Sequence, residues 1–207
     1  MDAASINGTT LADSSANHND GILVGFPQNP TAPGRFGEAL VYPAAAAANV
    51  RVAQLGLDQA SGGINSVSMW FRRSGNGTND VLVLLPNAPR YDLWFHNDSD
   101  LCINTGRGDC WGVRNNTLLD RWVHVVALFV NGSTSQGSLY VDGKNGNAAC
   151  LSGYSACTGV NGTAALPVEL GGESDFPFHG MLDEVEIFNR ALTASEVSTL
   201  YNGMACP

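Results

Sequence analysis

The chain of 207 residues carries ten Lys and Arg against nineteen Asp and Glu, for a formal charge of −9, and is 44% hydrophobic and 14% charged. This composition excludes a disordered chain, and it excludes a nucleic-acid binder, which needs clustered Lys and Arg to neutralise phosphates. Adsorption to anionic membranes is disfavoured, and no apolar run reaches the ~20 residues that span a bilayer.

The opening MDAASINGTTLADSS lacks the basic and hydrophobic parts of a signal peptide. Met1 is therefore read as an added start on a domain excised from a larger exported protein. Beyond it, short β-rich runs alternate with Gly, Asn, Asp and Ser turns. The expected strands are Ile22–Val24, Ala39–Tyr42, Val50–Val52, Ser66–Phe71, Val81–Leu85, Tyr91–His96, Trp122–Val130, Gly137–Val141, Val168–Leu170 and Met181–Phe188. Asp142-Gly143 is a hairpin turn signal. One helix is expected after Ala191-Leu192, with Thr193 as N-cap and Glu196 at capping-box spacing. Without a heptad, a 20–50-residue repeat or an internal linker, these elements predict one all-β domain over residues 1–207: an antiparallel β-sandwich with one short C-terminal helix.

Cysteines stand at 102, 110, 150, 157 and 206. The first four allow three pairings, of which the local one, Cys102–Cys110 with Cys150–Cys157, is taken here, leaving Cys206 over. Two disulfides imply an oxidising compartment, and so a secreted or cell-surface protein. Asn-x-Ser/Thr triplets at Asn7, Asn76, Asn97, Asn115, Asn131 and Asn161 point to exposed loops.

The segment Tyr91–Trp111 concentrates the side chains from which sugar sites are built, aromatic faces beside hydrogen-bonding groups. Tyr91, Trp94, His96, Arg107, Asp109 and Trp111 are the candidate ligand-binding residues. Alternation along the strand puts Tyr91, Leu93 and Phe95 on one face and Asp92, Trp94 and His96 on the other. Arg107-Gly108-Asp109 is an integrin-type tripeptide, but triplets of this length arise by chance.

Six segments resemble, in order, the laminin-G-like or pentraxin-like domains of the concanavalin A-like lectin and glucanase superfamily. They are Asp13–Gly21, Gly34–Leu40, Val67–Phe71 (VSMWF), Arg121–Ala127 (RWVHVVA), Leu139–Gly143 (LYVDG) and Phe178–Tyr201 (FHGMLDEVEIFNRALTASEVSTLY). Asn104–Gly112 is similar to a subset met in large exported bacterial proteins, whereas Ala44–Ala48 departs from the family where a regular strand entry is expected. The resemblance implies a concanavalin A-like jelly roll. It also implies one structural calcium, held by Asp183 with Asp20 and Gly37, and with Asn17 and Glu38 as outer ligands. Retaining glucanases of the superfamily carry E-x-D-x-x-E on the active strand. Here the pattern reads Met181-x-Asp183-x-x-Glu186, so one of the two required carboxylates is missing. Glu184 and Glu186 are expected as solvated, outward residues of an edge-facing strand, and His124 as a structural residue beside Trp122. The implied function is non-catalytic, calcium-stabilised recognition of a glycan or an extracellular protein for adhesion or targeting. The rivals are a structural or protein–protein module without a sugar site and, third, a glycoside hydrolase or lyase.

Overall fold

The computed structural model describes residues 5–43, 47–74, 79–85, 91–104, 110–151, 157, 167–172 and 175–203. Along these, runs rich in β-branched and aromatic residues form strands that stack into two antiparallel sheets. Across the larger sheet the order is β1 (Ile6–Asn7), β2 (Thr10–Leu11), β3 (Gly21–Val24), β6 (Asn49–Val52), β16 (Val168–Leu170), β8 (Asp80–Leu85), β9 (Tyr91–His96), β10 (Asp100–Asn104), β11 (Trp111–Arg114) and β15 (Ala149–Cys150). Across the smaller it is β14 (Lys144–Asn145), β13 (Ser138–Val141), β12 (Trp122–Val130), β7 (Ile64–Arg73), β17 (Gly180–Phe188), β5 (Glu38–Tyr42) and β4 (Thr31–Pro33). Helix α1 covers Ala194–Tyr201.

Every expected strand is present, within two residues at either end. The order of the strands places residues distant in sequence side by side, as in a jelly roll. β17 lies between β7 and β5, so it is an interior strand and not the expected edge. β6, which follows the alanine run, is likewise interior, between β3 and β16, while residues 44–46 lie outside the described residues.

The core fills the space between the sheets. Leu82, Leu93, Phe95, Leu101 and Ile103 of the larger sheet meet Val67, Met69, Phe71, Val125 and Phe129 of the smaller, all at most 1% exposed. Phe71 and Phe95 meet edge to face with centroids 5.5 Å apart.

A second, smaller core forms on the outer face of the smaller sheet, where α1 packs. Val126 meets Leu192, Val197 and Leu200 there. The expected capping box starts this helix: the Glu196 N–H donates to Thr193 Oγ1 at 3.3 Å, and the Thr193 N–H donates to Glu196 Oε2 at 2.7 Å.

The expected cysteine pairs are both bonded, Cys102–Cys110 and Cys150–Cys157. Cys206, Asn76 and Asn161 lie outside the described residues. Asn131 corrects the expectation that the Asn-x-Ser/Thr triplets mark exposed loops. It is 2% exposed, and its side-chain amide donates to the carbonyls of Asp58 at 2.7 Å and Ala60 at 3.0 Å, pinning the loop before β7.

Candidate functional site

The outer face of the larger sheet carries Trp94 and His96, as strand alternation predicts, with Leu93 and Phe95 buried on the core side. Their rings meet edge to face with centroids 5.4 Å apart. Trp94 is 8% exposed. It sits among Val81, Leu84 and the Cys102–Cys110 bridge, with Phe176 and Leu151 at its margin. Among the described residues its indole N–H has no hydrogen-bond partner.

Trp111 does not join this group. In the β10–β11 hairpin Cys102 lies opposite Gly112, so Trp111 lies opposite Ile103 and points to the core side. Its indole N–H donates to the Gly137 carbonyl at 2.9 Å. The expected cluster is therefore divided by one step of register, because successive residues of a strand face opposite ways. Tyr91 begins β9 opposite Leu85. Arg107 and Asp109 lie outside the described residues.

Two residues absent from the sequence reading complete the face. His96, Asp100 and Arg114 stand side by side on β9, β10 and β11. The Arg114 guanidinium donates to both oxygens of Asp100, from Nε at 2.7 Å and from Nη2 at 2.8 Å. The Asp100 side chain is 2% exposed and that of Arg114 is 49% exposed, so a buried carboxylate holds a half-open guanidinium in one orientation. The expected Cys102–Cys110 link carries the signal that could have found this pair, since a hairpin closed there brings residues near 100 and 114 together.

The residues implied as calcium ligands form two groups. Asp183 is wholly buried. Its Oδ2 accepts the N–H groups of Arg35 at 2.7 Å and Phe36 at 3.0 Å, and its Oδ1 accepts that of Glu184 at 3.0 Å. Burial raises its carboxyl above the usual aspartate value, against the pull of the N–H groups of Phe36 and Arg35. Gly37 and Glu38 belong to the same turn, where the Gly37 carbonyl accepts the Gly34 N–H at 3.0 Å. Asp20 belongs to the opening loop and accepts the Asp13 N–H at 2.9 Å. Asn17 is exposed in that loop, its N–H donating to Ser15 Oγ at 3.2 Å.

Asp13 is the hub of the opening loop, accepting from the Ser15 N–H at 2.9 Å, the Ser15 hydroxyl at 2.6 Å and the Asn19 N–H at 2.8 Å. Burial would raise its carboxyl, but these bonds outweigh burial and hold it below the usual value. Among the described residues no three His, Cys, Asp or Glu gather as a metal site. The Asp183 carboxylate faces N–H donors, whereas calcium takes a shell of oxygens. No part of the function is routed through a cation.

His124 stands against Trp70, with ring centroids 5.2 Å apart. Its Nε2 lies 3.0 Å from Ser68 Oγ. Burial lowers its pKa from 6.5 to about 4, against the charge of Asp142. The unfolded chain therefore binds the extra proton first. The stability contributed by neutral His124 is complete above about pH 6.5 and is lost as pH falls towards 4, up to about 3 kcal/mol. Protonation of Asp183 and of Glu186, whose carboxyl is raised by burial and by the charge of Glu184, acts in the opposite sense. Subtracting the urea-denaturation free energies of a His124→Gln variant from those of the wild type isolates the His124 part. That difference is expected to shrink steadily from pH 7 to pH 4; a pH-independent difference would refute the assignment.

Solved structures share this architecture. Domain 4 of AbnA, a GH43 extracellular arabinanase from Geobacillus stearothermophilus solved with arabinotriose, is similar at 23% identity with TM-score 0.66, covering 92% of each chain. The binding domain of botulinum neurotoxin DC, solved with rat synaptotagmin II, is similar at 16% identity with TM-score 0.65, over 95% of this chain and 50% of that one. Trypanosoma rangeli sialidase is similar at 16% identity with TM-score 0.64, over 95% of this chain and 31% of the enzyme. These likenesses concern the fold, and the chain spans about half of the toxin domain and a third of the sialidase. No curated protein matches the sequence. Residues 44–198 match the family model Laminin_G_3, and with that match, two stacked antiparallel sheets and one capped C-terminal helix, the chain belongs to the concanavalin A-like lectin/glucanases superfamily.

Proposed function

We propose that this domain is a non-catalytic module that recognises a glycan on the outer face of its larger sheet, outside the cell. The observation that carries the reading is the buried, unpartnered indole N–H of Trp94, standing beside His96 and near the fixed Asp100–Arg114 pair. A buried donor left unpaired costs about 1–3 kcal/mol. A sugar hydroxyl relieves that cost, and the half-exposed guanidinium gives the face a positive group that Asp100 holds in place in advance.

The AbnA domain solved with arabinotriose supports a carbohydrate ligand for this fold, and the toxin domain solved with synaptotagmin supports the alternative of an extracellular protein. Two disulfides support an oxidising, extracellular setting. Among the described residues no helix is long and apolar enough to cross a membrane. The non-catalytic reading rests on Met181, which stands in β17 where the glucanase strand has its nucleophilic carboxylate.

A glycan array tests the reading, with Arg114→Ala and His96→Ala as paired variants. The parent domain is expected to bind at least one glycan family, and Arg114→Ala is expected to lower that affinity about tenfold, the worth of one charged hydrogen bond. A parent that binds no glycan, or an Arg114→Ala variant that binds as the parent does, refutes recognition at this face.

A further inference from the structure

A hollow of about 690 Å3 opens where β17 breaks register. Asp183 pairs with Trp70 and Glu186 with Ser68, so the strand carries one residue too many between the two pairs. Glu184 takes up the excess with φ 46°, a left-handed conformation costly for a residue with a side chain. Such strain persists where the surroundings enforce it, often beside a binding site.

The polar lining of the hollow comprises Ser68, Trp70, His124, Glu184 and Glu186, together with Asp13, Ser14, Ser15, Asn17 and Asn19 of the opening loop. The first three are 2%, 3% and 1% exposed. Among the described residues neither Trp70 Nε1 nor His124 Nδ1 has a hydrogen-bond partner, although their rings adjoin. Two neighbouring buried nitrogens in that state mark a place that a ligand completes. Tyr201 is stacked on the Trp70 ring at 5.5 Å, and the Arg35 guanidinium lies 4.6 Å from it. A ligand would therefore be held by the indole edge, through hydrogen bonds, and not by stacking.

The chemistry of the wall narrows the ligand. Trp70 offers only a donor and the two glutamates offer chiefly acceptors, while His124 beside Ser68 offers either according to its tautomer. A hydroxyl both donates and accepts, so it satisfies every one of these groups. An ammonium would satisfy the glutamates and leave the indole N–H unpaired. A carboxylate would meet Asp13, Glu184 and Glu186 with no Lys or Arg among the residues lining the hollow. The volume falls within the range of small-molecule pockets.

We propose that this hollow is a second subsite, separate from the Trp94 face, that takes one uncharged sugar ring, and that Glu184 and Glu186 bar acidic sugars from it. The ring's hydroxyls accept from Trp70 Nε1, pair with His124 Nδ1 and donate to Glu186.

The indole N–H signals of the four tryptophans, followed by 1H–15N NMR, read the two sites separately. The probes are D-glucose, D-galactose and D-mannose, each titrated in turn, and then D-glucuronate and D-galacturonate. At least one neutral sugar is expected to shift the Trp70 signal, and neither acid is expected to do so. Glu186→Gln keeps the side chain's shape and removes its charge. It is expected to admit the acids, so that at least one of them shifts the Trp70 signal in the variant where neither does in the wild type. A Trp70 signal that no neutral sugar moves refutes the subsite, whatever the Trp94 signal does. Equal shifts by neutral and acidic sugars in the wild type, or acids still barred from a folded Glu186→Gln variant, refute the charge-based exclusion.

Discussion

Replacing Asp183 with alanine is expected to cost the fold about 3 kcal/mol, because three backbone N–H donors lose one buried acceptor together. Two of those donors, on Arg35 and Phe36, lie 148 and 147 residues away in sequence, so the carboxylate ties the turn before β5 to the interior strand β17. Gly34 shows how closely the turn is fitted, since a Cβ there would strike Asp183 Oδ2. Asp183→Asn keeps one acceptor oxygen but turns an amide towards the donors. About half the loss is expected for it. Urea denaturation of the three proteins measures both effects. An alanine variant within about 0.5 kcal/mol of the wild type, the range of ordinary surface substitutions, would show that the turn is fastened by something else.

Replacing Trp70 with alanine is expected to cost about 4 kcal/mol and to release α1 from the sheet. The indole is the centre of the second core. Tyr201 of the helix stacks on it, His124 lies against it, and Phe36 meets it edge to face at 6.0 Å. Trp122→Ala, on the same strand face but only half buried and without an aromatic partner among the described contacts, is the matched control and is expected to cost much less. Limited proteolysis supplies a second readout. Cleavage near Ala194–Tyr201 is expected to appear in Trp70→Ala before the sandwich itself unfolds. A helix that stays protected in this variant would mean that Leu192, Val197 and Leu200 hold it without the indole.

Long apolar runs with clear alternation were legible in the sequence. Trp122–Val130 and Tyr91–His96 have the bounds their residues announce. The helix was legible because a capping box is a local device that needs nothing from the rest of the chain. The short, polar strands were not: Asp100–Asn104 and Trp111–Arg114 gain their strand character from their neighbours across the sheet, and alone they look like a ligand loop. Placing Trp94 and Trp111 together failed for the same reason, since the face of Trp111 depends on the register of a hairpin that no single residue encodes. Buried charge was equally hidden. Arg73, at the end of β7, reads as a solvent-facing residue, yet it is wholly buried against Asp80 at 2.6 Å and Asp98 at 2.8 Å. The hollow beside Glu184 could not be foreseen at all, because a bulge is visible only once two strands are paired and one is found too long.

The pinned amide of Asn131 has a consequence for how this domain is best produced. In a eukaryotic secretory pathway the nascent chain meets the oligosaccharide-transferring machinery while still unfolded, and Asn131-Gly132-Ser133 is then open to it. A glycan attached there would replace a donor hydrogen that reaches Asp58 and Ala60, and would need space that the folded loop lacks. Chains modified at Asn131 would be trapped short of the native state, so a host that exports to an oxidising compartment without attaching glycans to asparagine suits this protein best.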